Sequence, residues 1–170
     1  PVGERLAKAQ RLVVLGDPGS GKTTLTRWIA TAYLLRLKKD PYLYELPDIR
    51  TIPDSDYLPI IIRCRDLDKR CLGGVLDDLL QNTLRKNQLT DAEASILKVL
   101  LMERLQKGTA LLILDGLDEI IDPVVRACFC QQLEQIHIAF PNAPIIATSR
   151  IVGYREMGYR IGRGFEHVTL

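Results

Sequence analysis

Apolar residues fall along the chain in two rhythms. Short runs that stop at glycine, proline or a polar residue occur at Arg11–Leu15, Leu58–Cys64, Ala110–Asp115 and Pro144–Ser149. Runs of this length, rich in leucine, isoleucine and valine, predict buried strands. Longer stretches between them carry helical spacing. Lys22–Leu37 places Leu25, Trp28, Ile29, Ala32 and Leu35 on one stripe, and Asp40-Pro41 closes it. A helix over about Val75–Lys86 follows Gly73-Gly74. Another starts at the cap Thr90-Asp91, with Glu93 in its first turn, and ends near Gly108. Asp122 as cap and Pro123 at the first helical position open a further helix. Pro41–Pro59 holds four prolines and predicts a long connecting loop. A Gly-rich loop follows Ser149, and Glu166–Leu170 predicts a fifth strand.

Strands alternating with helices in this order predict an α/β fold, a parallel sheet with helices on both faces. At 170 residues the chain is expected to be one domain, large enough to bury its core without disulfides or metal. A net charge of +2 argues for neither nucleic acid nor an anionic membrane as partner. Cys64, Cys71, Cys128 and Cys130 form no C-x-x-C, and His137 and His167 are not at ligand spacing from them. The cysteines are expected to be buried or half-buried free thiols in a reducing compartment, the cytoplasm, and the histidines packing or surface residues. No apolar run approaches the roughly 20 residues of a membrane span, and no signal peptide precedes the first strand. The chain begins at Pro1 and is expected to be a piece of a longer protein.

The chemistry concentrates at three strand ends. Gly16-Asp17-Pro18-Gly19-Ser20-Gly21-Lys22-Thr23 matches G-x-x-x-x-G-K-[ST] in full, between an apolar strand and an amphipathic helix. Glycines in such a P-loop let backbone N–H groups turn toward phosphate oxygens, and the helix start adds its positive dipole end. Lys22 is then placed to reach the β- and γ-phosphates, and the Thr23 hydroxyl to ligand magnesium. The run Leu111–Asp115 is an apolar strand ending in a carboxylate, as a Walker B strand does, so Asp115 is the second candidate magnesium residue. Asp118 and Glu119 follow at once, with Glu119 the candidate to orient or deprotonate an attacking water and Asp118 the candidate for a supporting or magnesium-side catalytic group. Arg150 closes Ala147-Thr148-Ser149-Arg150 on the side where such sheets bind ligands, and is the candidate to contact the γ-phosphate. Tyr154 and Arg155 are weaker candidates for contact with nucleotide or another subunit.

Together Gly16–Thr24 (GDPGSGKTT), Leu111–Ile120 (LLILDGLDEI) and Thr148–Tyr154 (TSRIVGY) resemble a NACHT domain of the STAND class of P-loop NTPases, in its bacterial form. The D-G-x-D-E strand end is the most specific of the three. The resemblance covers essentially the whole chain, 1–170, and implies a three-layer sandwich with strand order 5-1-4-3-2. It also implies ATP or ADP with Mg2+ as ligands, with Thr24 added to the P-loop contacts. Members of the family are switches in innate defence or cell-death signalling that hydrolyse ATP slowly and oligomerise when triggered. The helical, winged-helix, sensor and effector regions would lie outside this chain, which alone is expected to be monomeric. The alternatives from the residues are another P-loop ATPase or a small-molecule kinase. No N-K-x-D motif is present, Arg85-Lys86-Asn87 not supplying one, which favours adenine over guanine.

Overall fold

A computed structural model of the chain describes residues 2–68, 71–156, 159–162 and 164–170. Its elements run α1 (Val2–Ala9), β1 (Arg11–Leu15), α2 (Lys22–Lys38), β2 (Leu58–Arg63), α3 (Leu76–Lys86), α4 (Asp91–Gln106), β3 (Ala110–Asp115), α5 (Pro123–Ala139), β4 (Ile145–Ser149), α6 (Ile151–Arg155) and β5 (Glu166–Thr169). The five strands form one sheet in the order β2-β3-β4-β1-β5, every pairing parallel. Read from the other edge, this is the 5-1-4-3-2 order that the family resemblance implies.

Alternation along the strands builds two cores. Leu111 and Ile113 of β3 face one side with Leu12, Val14 and Ile146, packed under Leu6 of α1 and Ile29, Ala32 and Tyr33 of α2. Leu112 and Leu114 face the other side with Val13, Ile60, Ile62 and Ile145, packed under Leu79 and Leu80 of α3, Leu101 and Leu105 of α4 and Phe129 and Leu133 of α5. All six residues of β3 are buried, which is why this run is apolar without alternation. Among the described residues no helix is long and apolar enough to cross a membrane.

Three elements depart from the sequence expectation. The N-terminal helix α1 was not foreseen. It is eight residues long, and its stripe of Val2, Leu6 and Ala9 spans only two turns, shorter than the window in which a helical period is read. Gly3 is held there by close approach, since a Cβ would lie 2.7 Å from the Thr51 carbonyl oxygen. The loop after α2 is not bare either. It contains two 3-10 turns, Pro41–Glu45 and Ile49–Thr51, and returns Leu43 and Ile52 to the core. Where a Gly-rich loop was expected after β4, α6 forms, anchored by the buried Tyr154.

Candidate functional site

The glycine-rich loop Gly16–Thr23 begins where β1 ends. Leu15 pairs with Ser149 of β4, and the Gly16 N–H donates to the Ser149 carbonyl at 3.2 Å, tying the loop to the neighbouring strand. Gly16 is buried, and a Cβ on it would come within 2.3 Å of Ser20 Oγ and 3.2 Å of Ser20 Cβ, so a side chain there would have to displace Ser20. Gly19 and Gly21 have φ of 79° and 88°, the left-handed region that other residues enter at a cost. Asp17, Pro18, Gly19 and Ser20 are exposed on the loop's outer curve, and Thr23 and Thr24 are exposed on the first turn of α2. Lys22 folds back into the loop. Its Nζ donates to the carbonyls of Gly16 at 2.7 Å and Asp17 at 2.9 Å, and lies 3.4 Å from Ser20 Oγ.

Two strands away, β3 ends in Asp115. Leu114 is level with Ala147 and Arg63 with Asp115, so Asp115 stands beside Thr148 at the carboxyl edge. With parallel strands about 4.8 Å apart, the end of β3 lies roughly 10 Å across the sheet from the start of the P-loop. Asp115 is only 8% exposed. Its Oδ1 accepts from Thr148 Oγ1 at 2.8 Å, and Thr148 Oγ1 in turn accepts from the Gly116 N–H at 2.9 Å. Thr148 thus fixes the carboxylate in rotation. Its sequence neighbours mark a strand end, but nothing in the sequence pairs it with Asp115.

The two acids after Asp115 point in opposite directions. Gly116, at φ 84°, starts a single 3-10 turn over Leu117–Glu119. Asp118 turns toward β4 and takes Arg150 twice. Its Oδ1 accepts from the Arg150 N–H at 2.8 Å and its Oδ2 pairs with Arg150 Nε at 2.9 Å. The Asp118 side chain is nearly covered while that of Arg150 is 56% exposed. Glu119 turns the other way and folds over Gly116, where a Cβ would meet its Oε2 at 2.6 Å. It lines a cleft of about 620 Å³ with Cys64, Arg65, Ile121 and Pro123. Burial pushes the Glu119 carboxyl up, Arg65 opposes this, and Asp115 and Asp118 add to it. Cys64, fully buried below these carboxylates, is pushed well up by burial first and by Asp115 next, so it is an inert thiol.

The structure therefore gathers the loop Gly16–Thr23, Asp115, Asp118 and Arg150 along the carboxyl edge of the sheet, and sets Glu119 toward the β2 side of that edge. Tyr154 is not a surface contact. It is 3% exposed, and its hydroxyl meets the Ile161 carbonyl at 3.3 Å and His167 Nε2 at 2.8 Å. Arg155 is exposed. Of the cysteines, Cys64, Cys71 and Cys130 are buried free thiols, but Cys128 is exposed, because it falls on the outer face of α5. No cluster of three or more His, Cys, Asp or Glu able to hold a metal occurs among the described residues. A second cleft, about 350 Å³, opens beside the first turn of α2 between Thr24, Leu25, Trp28, Val2 and Leu170.

No model of a known protein family matches the chain, and no curated protein matches it in sequence.

Proposed function

We propose that this chain is the nucleotide-binding core of an ATP-driven signalling switch of the NACHT type, acting in the cytoplasm, with slow hydrolysis as its reset step. The observation that carries the proposal is the P-loop turn at the end of β1, set on the same sheet edge as the buried Asp115. The loop fits a phosphate chain. Gly19 and Gly21, at positive φ with open space where a Cβ would stand, give the backbone its turn, and the α2 N-terminus lies behind them. Lys22 already has its ammonium inside the curve, where two carbonyls hold it in place of the anion it would bind. Asp115 fits magnesium, which takes oxygen ligands and few protein groups. One of its oxygens is occupied by Thr148, and the other has no hydrogen bond among the described residues. Thr23, exposed at the helix start, would supply the second protein oxygen.

Magnesium bound there would neutralise charge on the β- and γ-phosphates. The residues of the chain do the rest. Lys22 leaves the loop carbonyls for phosphate oxygens. Arg150, exposed and held by a single carboxylate, turns to the γ-phosphate and distinguishes ATP from ADP. Glu119 orients water for hydrolysis, its raised proton affinity making it the better base once ionised. The apolar cleft at Trp28 and Leu25 adjoins Thr24 and is of the polarity that a base ring requires. In the complete protein, assembly of copies through regions outside this chain would follow the switch.

The test is thermal unfolding with nucleotide. ATP with magnesium at 100 times its Kd stabilises a single-site protein by about 2.7 kcal/mol, and Lys22→Ala should abolish that gain. No stabilisation of the native chain by ATP or ADP would sink the proposal, and a larger gain with GTP would overturn the adenine preference. Phosphate release should fall on Glu119→Gln, by a factor of about 100 or more for a general base. An unchanged rate would remove Glu119 from that role.

A further inference from the structure

One side chain that no motif marks touches both the acidic turn and the segment that carries Arg150. Arg126 lies in the first turn of α5 and is half-buried. Its Nε donates to the Ile120 carbonyl at 2.8 Å, its Nη2 to the Ile121 carbonyl at 3.5 Å, and its Nη1 to the Gly153 carbonyl at 3.1 Å. The first two carbonyls follow Glu119 directly, and the third belongs to α6, one turn beyond Arg150. Each carbonyl meets a different nitrogen of the guanidinium, so the rigid planar fork spans acceptors that a single nitrogen would have to reach from one point. Gly153 packs against the same turn so closely that a Cβ would lie 2.9 Å from Asp118 Cβ.

We propose that Arg126 is a positioning residue that sets how firmly Asp118 holds Arg150, and thereby tunes the discrimination between nucleoside triphosphate and diphosphate. The inference rests on the nucleotide-binding proposal and on Arg150 as the γ-phosphate contact. Asp118 grips both the backbone N–H and the guanidinium of Arg150. A γ-phosphate must therefore draw the guanidinium away from Asp118, whereas a diphosphate makes no such demand. The strength of the Asp118–Arg150 pair thus enters the affinity for triphosphate and not for diphosphate. By pinning α6 to the acidic turn, Arg126 keeps Asp118 and the Arg150 backbone in register. Loosening that pin weakens the pair and shifts preference toward triphosphate.

The experiment measures ATP and ADP affinities by calorimetry, in magnesium, for the native chain and for Arg126→Ala, Arg126→Lys, Arg150→Ala, Lys22→Ala and Phe129→Leu. Arg126→Ala should raise the ratio of ATP to ADP affinity by about fivefold, the low end of coupling between sites, with ADP affinity unchanged. Arg126→Lys should do nearly the same, since a single nitrogen then replaces the three that each meet a separate carbonyl, and it carries the test if Arg126→Ala fails to fold. Phe129, fully buried in the same helix, reports mere destabilisation: Phe129→Leu should lower the melting temperature without moving the ratio. A ratio unmoved by either Arg126 variant, or moved equally by Phe129→Leu, overturns the inference alone. If Lys22→Ala leaves binding intact, or Arg150→Ala leaves the ratio intact, the nucleotide site or the γ-phosphate contact fails first and the inference falls with it.

Discussion

Replacing Thr148 by valine removes one hydroxyl from the middle of the site and keeps the shape of the side chain. Thr148 has no exposed surface and carries two hydrogen bonds, one donated to Asp115 Oδ1 and one accepted from the Gly116 N–H. The first is charge-assisted. Its loss leaves a buried carboxylate oxygen unpaired, and the loss of the second leaves a part-buried donor unpaired. A hydrogen bond to a charged group contributes about 1.5–3 kcal/mol and an ordinary one about 1 kcal/mol, so Thr148→Val should cost about 3 kcal/mol. That is a large share of the roughly 5–15 kcal/mol that holds a domain folded. With a urea dependence of about 2 kcal/mol per molar, the unfolding midpoint should fall by about 1.5 M. Thr148→Ser retains the hydroxyl and should lose much less. Urea unfolding followed by tryptophan fluorescence, with Trp28 as the sole reporter, measures both. A loss below about 0.5 kcal/mol for Thr148→Val, the scatter of surface substitutions, would refute the claim that this hydroxyl fixes the Asp115 carboxylate.

The remaining predictions concern the P-loop turn and two titrating side chains. Gly16→Ala should modestly destabilise the free chain and weaken nucleotide binding together, since the added methyl turns the Ser20 hydroxyl away and crowds Ser20 Cβ at 3.2 Å inside the turn. Equal unfolding midpoints for the two chains would contradict the closed geometry of the loop. Glu119 has its carboxyl pushed up in the folded state by burial. The stability tied to its protonated form is therefore complete below the unfolded carboxylate pKa and lost as pH rises through the folded value. Glu119→Gln should gain stability relative to the native chain over that rise, and a gap that stays constant with pH would count against it. His137 is shifted the other way, lowered by burial and by Arg11 beside it, with its ring in a T-shaped contact with Phe165. Its contribution is present above the unfolded imidazole pKa and lost as pH falls through the lower folded value. His137→Phe should remove that acid-side loss in melting curves taken between about pH 5 and 8.

Much of this chain could be read without coordinates because its strongest signals are local. A buried parallel strand needs both faces apolar, so β3 announces itself as an unbroken run ending in Asp115. The P-loop needs glycines at set spacing for its own backbone turn, and Asp122-Pro123 and Thr90 with Glu93 cap their helices within a few residues. Those requirements are satisfied by near neighbours along the chain, and each leaves a pattern in the residues. The strand order was legible only through resemblance, since which strand neighbours which depends on how the crossing helices pack.

What tertiary structure alone decided lies at the meeting of distant segments. Asp118 and Glu119 are adjacent in sequence and look interchangeable, yet a 3-10 turn sends one to Arg150 and the other toward Arg65 and Cys64. Tyr154 looks like a loop residue and is a core residue, because Asp118 receives the Arg150 N–H and starts a helix that carries the ring inward. Arg126 has no signature at all, and Thr148 none that pairs it with Asp115: their partners are 33 residues away for Thr148 and up to 27 for Arg126. Local patterns specify the glycine-rich loop and the strand-end carboxylate that we propose hold phosphate and magnesium. The orientation of those groups is set by hydrogen bonds that exist only once the sheet has brought the ends of β1, β3 and β4 side by side.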